Sequence, residues 1–381
     1  MNFPSGFSGA GVSAGLKSND AKDLTVIVNE GPQYFGTAVF TTNKIVAAPV
    51  TWSMEVVRDN EVKAVILNSG GANACTGPDG FVDTHKTAEH VAELLSISAS
   101  DVVVCSTGLI GVRLLMDRLL NGASAAIANL SNASLIDCAT GIMTTDSKPK
   151  ISTSEISGTT FTGIAKGAGM LAPSLATMLS VIMTDAIVDE YSAKLIFEKI
   201  VDRTFNRIDS DGCTSTNDTV LFLASGASGV SLPDAQLESA LQKICSELSF
   251  QLIADAEGHS KIVSITTINA LSESDAVAVG RACARNNLLK CALHGEDPNW
   301  GRILAAIGTT SATFDPYRID VNLNGVQVCT DSSPGADRDL VDMSGEIIEI
   351  VIDLNMGSES ATIMTNDLTA MYVHENSAYA T

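Results

Sequence analysis

Apolar residues along the chain fall into two kinds of pattern. Short runs rich in β-branched residues and bounded by turn residues predict strands at Leu24–Val28, Thr37–Thr41, Val62–Asn68, Asp101–Cys105 and Thr219–Ala224. Gly31-Pro32 marks a turn between the first two. Recurrence every three or four residues predicts helices. One carries Ala88, Val91, Ala92 and Leu95 on a single face, and a small-residue helix spans Ala123 to Ala139. A third begins at about Asp189 and carries Ile196, Phe197, Ile200, Val201 and Phe205. A fourth follows Ser231-Leu232-Pro233, with serine at or near the cap, and buries Leu237, Leu241, Ile244 and Leu248.

Alternation with serine and threonine between Ile151 and Ile164 predicts a hairpin. Beyond Ile262–Thr267, a further strand, Ser272 to Asp275 is close to a capping box for a helix running to about Leu293. Four more strands are expected at Arg318–Leu323, Val326–Thr330, Ile347–Leu354 and Ala361–Thr365, with a hairpin turn at Asn324-Gly325. Alternating helices and strands define the class as α/β, and 381 residues suggest two or three domains.

Charge narrows the function. With 44 acidic and 23 basic residues the net charge is -21, which repels phosphate backbones and anionic lipid, so neither nucleic acid nor membrane is an expected partner. No apolar run approaches the roughly 20 residues of a membrane span, and the N-terminus lacks the pattern of a signal peptide. The eight cysteines are scattered without a CxxC pair and the five histidines show no HxxxH spacing, so reduced core cysteines and no metal are expected in a cytoplasmic protein.

The stretch Lys166 to Ala186 carries the chemistry. Two glycines and a proline lead to Ala176-Thr177, and an apolar run from Met178 to Met183 ends at Thr184-Asp185. Such a run suits a buried strand with Thr177 at its head. A threonine hydroxyl needs a base beside it, and an N-terminal threonine has one in its own α-amine. Inside a chain that nitrogen is an amide, so the reading requires cleavage of the Ala176–Thr177 bond. From Ala-Thr alone, a threonine that merely opens a strand is the plainer reading.

The segment from Lys166-Gly167-Ala168-Gly169 through Ala176-Thr177-Met178 to Thr184-Asp185-Ala186 closely resembles the self-cleavage segment of the ornithine acetyltransferases. These are the bifunctional glutamate N-acetyltransferases of arginine biosynthesis. The resemblance extends to Asn68–Gly77, Ser106–Gly111, the segment at Thr144-Thr145-Asp146, Asp211–Thr219, Gly295–Arg302 and the C-terminus, so it runs from about Gly6 to Thr381. It implies a layered α-β-β-α sandwich with a smaller C-terminal α/β domain. The halves it implies are an alpha chain (1–176) and a beta chain (177–381), the smaller domain running from about 260 to 381.

By the same resemblance Thr177 is both the self-cleavage residue and the acyl-accepting nucleophile, and Thr107 and Gly108 form the oxyanion hole. Thr144, Lys166, Thr177, Glu257, Asn376 and Thr381 would hold substrate, with Thr145 the alternative to Thr144. The implied reaction moves acetyl from N-acetylornithine to glutamate in a cyclic arginine pathway. No cofactor is implied, and acetyl-CoA as a further donor stays open. The implied assembly is a heterotetramer of two alpha and two beta fragments.

Several segments read differently on their residues alone. Asp209, Asp211 and Asp218 invite a calcium loop, but the spacing fails and a polar turn explains them better. Glu257, read as lying at a helix end, would sit against the unfavourable pole of the helix dipole, which points to another purpose. The tail beyond Asp367 would ordinarily be frayed. Two rivals compete with the transferase. One is an aminopeptidase or amidase with the same nucleophile; the other is a non-enzymatic anion-binding protein whose Thr177 stays internal.

Overall fold

A computed structural model describes residues 2–18, 20–130, 134–171 and 178–378. The chain divides into two compact units, a larger one (1–206 and 213–255) and a smaller one (207–212 and 256–380).

The larger unit stacks two sheets. In chain order it holds β1 (Phe7–Val12), β2 (Leu24–Asn29), β3 (Phe35–Phe40), α1 (Ala48–Val56), β4 (Ala64–Asn68), α2 (Gly77–Leu95), β5 (Val102–Ser106), α3 (Met116–Ala128) and α4 (Leu135–Gly141). It continues through β6 (Lys150–Ile156), β7 (Thr159–Lys166), β8 (Leu179–Thr184), α5 (Glu190–Arg203), β9 (Thr219–Ala224) and α6 (Asp234–Ile253). One sheet has the order β1-β2-β4-β5, the other β3-β9-β8-β7-β6. β2 and β3 are therefore not partners, and the turn at Gly31-Pro32 carries the chain from one sheet to the other.

Side chains that alternate along each strand separate the layers. Ile27, Val65, Leu67, Val103 and Cys105 of the first sheet share a core with Ile164, Leu179, Val181, Met183, Leu221 and Leu223 of the second. The other face of the first sheet, with Leu24, Val26, Ala64, Ile66, Val102 and Val104, meets Ala88 and Val91 of α2 and Leu119 and Ala123 of α3. On the far side of the second sheet, Phe222 of β9 stacks on Phe197 of α5, with ring centroids 5.5 Å apart. At Gly163 of β7, an added Cβ would lie 2.7 Å from Leu248 and 2.9 Å from Ile244, so a bare backbone lets α6 press against the strand. The layers follow in the order α-β-β-α. Strands with helices or sheet on both faces are apolar throughout, which is why β8 and β9 read as runs and not as alternation.

The smaller unit holds β10 (Ile262–Ala270), α7 (Glu273–Ala284), α8 (Asn287–His294), α9 (Trp300–Ile307), β11 (Asp320–Leu323), β12 (Val326–Thr330), β13 (Ser333–Pro334), β14 (Ile347–Asp353), β15 (Glu359–Asn366) and α10 (Ala370–Ala378). Its sheet has the order β13-β12-β11-β14-β10-β15. Val263, Ile265, Ile348, Ile350 and Ile352 meet Val279 and Cys283 of α7, Leu289 of α8 and Ile303 of α9. Asn324 (φ 45°) and Gly325 (φ 86°) turn the β11–β12 hairpin as expected of Asn-Gly.

Where helices were expected to run on, polar residues break them. The helix expected over Ala123–Ala139 is two, and Ser134 caps the second by accepting the Asp137 amide at 3.4 Å. The helix expected to reach Leu293 is interrupted at Asn286, whose side chain accepts the Leu289 amide at 3.0 Å. Pro233, not Ser231, caps α6, because Ser231 pairs with Ile187 in an isolated bridge. The helix α6 ends at Ile253, so Glu257 stands in a later turn and the dipole argument does not apply to it. The tail, expected to fray, forms α10. Five cysteines are buried and reduced, whereas Cys75, Cys213 and Cys291 are exposed. No described helix is long and apolar enough to cross a membrane.

Phe222 is fully buried between Phe35 and Phe197. Phe222→Ala is expected to remove about 3–5 kcal/mol, read as a lower urea midpoint with an unchanged slope. A loss below about 1 kcal/mol would mean that this layer can collapse around the gap.

Candidate active site

Two loops and one strand end build the site in the larger unit. β5 delivers Ser106 and then Thr107-Gly108, while β4 delivers Asn68 and the loop from Ser69. The loops are stitched together. The Thr107 amide donates to Asn68 O (2.9 Å) and the Gly71 amide to Thr107 O (3.1 Å), while the Ser106 hydroxyl donates to Asn68 Oδ1 (2.6 Å). Gly108 has φ +126°, and a Cβ there would lie 2.8 Å from the Gly71 nitrogen, so both conformation and space demand glycine. No acceptor among the described residues takes the Gly108 amide.

Lys166 ends β7 with its side chain 1% exposed, and its Nζ donates to Thr107 Oγ1 at 3.2 Å. A hydroxyl that accepts from an ammonium turns its own proton elsewhere. Thr107 O–H and the Gly108 N–H are thus two donors on one loop, the arrangement that stabilises a carbonyl oxygen as it gains charge.

Asp146 organises what lies behind Lys166. Its Oδ1 accepts from Lys150 Nζ (2.5 Å) and the Gly167 amide (2.6 Å), and its Oδ2 accepts the Thr144 amide (2.9 Å). Lys150 also donates to Asp255 Oδ2 at 2.5 Å. Burial alone would raise the Asp146 carboxyl, but Lys166, Lys150 and the Gly167 amide outweigh it and hold the group below its ordinary value. Burial lowers the Lys166 ammonium despite Asp146 and Asp218. Asp218, fully buried, accepts the Met178 amide on Oδ1 at 3.0 Å, and burial pushes its carboxyl well above the ordinary range. Beside it Asn217 Nδ2 donates to Ala72 O (2.6 Å) and Ser106 O (2.9 Å), tying both loops to the head of β9.

Of the residues singled out in the sequence, Thr107, Gly108, Lys166 and, through Asp146, Thr144 come together here. Thr144 is half-buried and Thr145 exposed. Ala176, Thr177 and Thr381 lie outside the described residues. Glu257 lines a cleft of about 190 Å³ in the smaller unit with Asp211, Arg285, Asn287, Lys290 and Tyr372. Lys290 is buried beneath it, donates to Ser210 O (2.9 Å), Thr365 Oγ1 (3.0 Å) and Asn366 O, and burial lowers it to about 8 against Asp211 and Asp367. Carboxylates and cations in one cleft suit a zwitterion. Asn376 is exposed on α10, and its side chain donates to Tyr372 O at 3.0 Å.

Asp146, Lys150, Asn217, Asp218 and Lys290 carry much of this geometry; sequence reasoning read the segments of Asp146, Asn217 and Asp218 as turns and gave none of the five a role in the site. A lysine opening a largely apolar hairpin was the available signal for Lys150. The three aspartates once set against a calcium loop separate. Asp209 binds Arg285 (2.8 Å), Asp211 lines the cleft and Asp218 is buried. Among the described residues no three metal-ligating side chains cluster.

A two-sheet α-β-β-α sandwich bearing a paired-donor loop on a buried lysine is suited to acyl chemistry. A profile described as the ArgJ family matches residues 8–381. The arginine biosynthesis bifunctional protein ArgJ of Streptomyces avermitilis is 55% identical over 375 residues, covering 98% of each chain. That of Thermobifida fusca is 53% identical over 381 residues and covers the whole of both. A solved structure of Mycobacterium tuberculosis ornithine acetyltransferase complexed with ornithine is 48% identical, covers 45% of this chain and 93% of its own, and gives a TM-score of 0.41. The chain belongs to the ArgJ family.

Asp146→Asn should strip the carboxylate from Lys150 and Lys166 and cost about 3–5 kcal/mol at neutral pH. Because the folded carboxyl lies below its ordinary 3.8, its stabilisation is present above that value and fades as pH falls through the folded value. Urea midpoints of the two proteins should therefore differ most near pH 7 and converge below about pH 4. A gap that stays constant with pH would assign the loss to packing.

Proposed function

We propose that this protein transfers acetyl from N-acetylornithine to glutamate through an acetyl ester on Thr177, in arginine biosynthesis. The observation that carries the reading is the donor pair on the Thr107-Gly108 loop, with the Thr107 hydroxyl turned by Lys166. Similarity to the arginine biosynthesis proteins over the full chain supports it.

The chain first cuts itself between Ala176 and Thr177, which frees the α-amine as base. Thr177 then attacks the acetyl carbonyl, and the oxygen gains charge facing Thr107 and Gly108. Expelling ornithine leaves the ester, and the amine of glutamate attacks the same carbon in a second half-reaction through the same donors. Thr144, Lys166, Glu257, Asn376 and Thr381 hold the substrates. Glu257 offers a carboxylate to an ammonium in a cleft whose cations suit the carboxylate of the same amino acid. Acetyl-CoA is a candidate second donor, and the paired fragments are candidates for a two-alpha, two-beta assembly.

Denaturing electrophoresis and mass spectrometry should find fragments 1–176 and 177–381, and Thr177→Ala should remain uncut and inactive. N-acetylornithine alone should add an acetyl mass to the later fragment and release ornithine. Glutamate should discharge it faster than water does, whereas equal discharge by water would make the enzyme a hydrolase. A fully active, uncut preparation would sink the reading.

Glu257→Gln should raise KM for both amino acids about tenfold or more while self-cleavage continues. An uncut variant with unchanged binding would remove Glu257 from the substrate.

A further inference from the structure

The turn that carries Glu257 in the smaller unit is gathered by a single carboxylate. Asp367, between β15 and α10, is 4% exposed and takes four donors from the protein. Its Oδ1 accepts the Ser260 and Lys261 amides, each at 2.9 Å. Its Oδ2 accepts the Ser260 hydroxyl at 2.5 Å and faces His294 Nδ1 of α8 at 3.0 Å. An ionised carboxylate has about four acceptor sites, so Asp367 has none left for a ligand. Burial alone would raise its carboxyl, but Ser260, Lys261 and His294 outweigh it and hold the group below its ordinary value.

Thr369, just beyond, grips the middle of the same turn. Its hydroxyl donates to Gly258 O and accepts the Tyr372 amide at 2.9 Å, so one side chain both caps α10 and ties the turn to it. Gly258 has φ +59°, and a Cβ there would lie 2.3 Å from Tyr372 N, so only glycine allows the turn to come this close. At the far end Lys261 Nζ donates to Glu296 Oε1 and Met343 O, both at 2.8 Å. Glu296 belongs to the Gly295–Arg302 segment, to which the acyl chemistry gives no task. The backbone that follows Glu257 is thus fixed at Gly258, Ser260 and Lys261.

Glu257 and Asp367 both line the cleft, and their surroundings divide the work between them. A charge-assisted hydrogen bond depends on distance and angle, and a carboxylate on an unheld turn loses binding energy to its own ordering. We propose that Asp367 is a positioning residue for substrate recognition: it sets the turn so that Glu257 meets the ammonium of the bound amino acid, and does not touch that ammonium itself. This rests on the reading above that Glu257 binds substrate.

The test is a double-mutant cycle on the full chain, with ornithine as the calorimetric probe and KM and kcat for glutamate measured alongside. Asp367→Asn keeps the size of the side chain and loses the charge that gathers the turn. It should weaken ornithine binding about tenfold and raise KM for glutamate by a similar factor, more than it lowers kcat. In a Glu257→Gln background the same change should cost less than about twofold, because the group it positions is already gone. Wild-type affinity in Asp367→Asn, or the same loss repeated in full without Glu257, overturns the inference and leaves Glu257 on the substrate. Wild-type affinity in Glu257→Gln overturns the reading of Glu257, and the inference with it. If Asp367→Asn does not fold, Ser260→Ala decides, since it removes one donor and leaves the carboxylate in place. A loss of about threefold that disappears in Glu257→Gln supports the inference. No loss, or one that persists there, overturns it.

Discussion

A lysine ammonium removed from water must meet a carboxylate, and that requirement governs the larger unit. Lys150 and Lys166 are 0% and 1% exposed, and both look to Asp146. Breaking such a pair costs more than the pair itself contributes, because the survivor is left charged in a poor solvent. The cluster therefore behaves as one object. Asp146 gathers the chain at Thr144, Lys150 and Gly167, and Lys166, so held, sets the direction of the Thr107 hydroxyl. Orientation of the donor loop is thus inherited from an ion cluster that touches no carbonyl itself.

Most of the scaffold was legible because its signals are local. β9 matches its expected bounds, and α5 starts at an aspartate whose side chain accepts the Ser192 amide. The misjudged helices share one cause. Small or apolar residues recur on both sides of Ser134 and Asn286, but each of these side chains caps the start of a new helix, which periodicity alone does not register. Nor does periodicity tell which sheet a strand joins. β2 and β3 are near neighbours in sequence and lie in different sheets.

The site was legible where a motif names a residue and illegible where a residue works through another. Thr107, Gly108 and Lys166 stand in recognisable segments, and the structure brings them together. Asp146 and Asn217-Asp218 lie in polar segments that read as turns, and turns they partly are. Their second use appears only when partners distant in the chain arrive, Gly167 for Asp146 and Ser106 for Asn217. Glu257 was singled out for a helix end it does not occupy, yet it does face a cleft.

The strand order of the second sheet has a consequence for molecularity. β3, β6 and β7 precede residue 177 and β8 and β9 follow it, yet they interleave as β3-β9-β8-β7-β6. Neither side of a break at that point owns a sheet it can complete alone, so each part needs the other to form it. A break there would change how the fold is regained. Unfolding of a cut protein releases two chains, and regaining the fold becomes second order, with a half-time that depends on concentration. The same sequence would be a self-contained folder once and a pair of mutually dependent strangers afterwards.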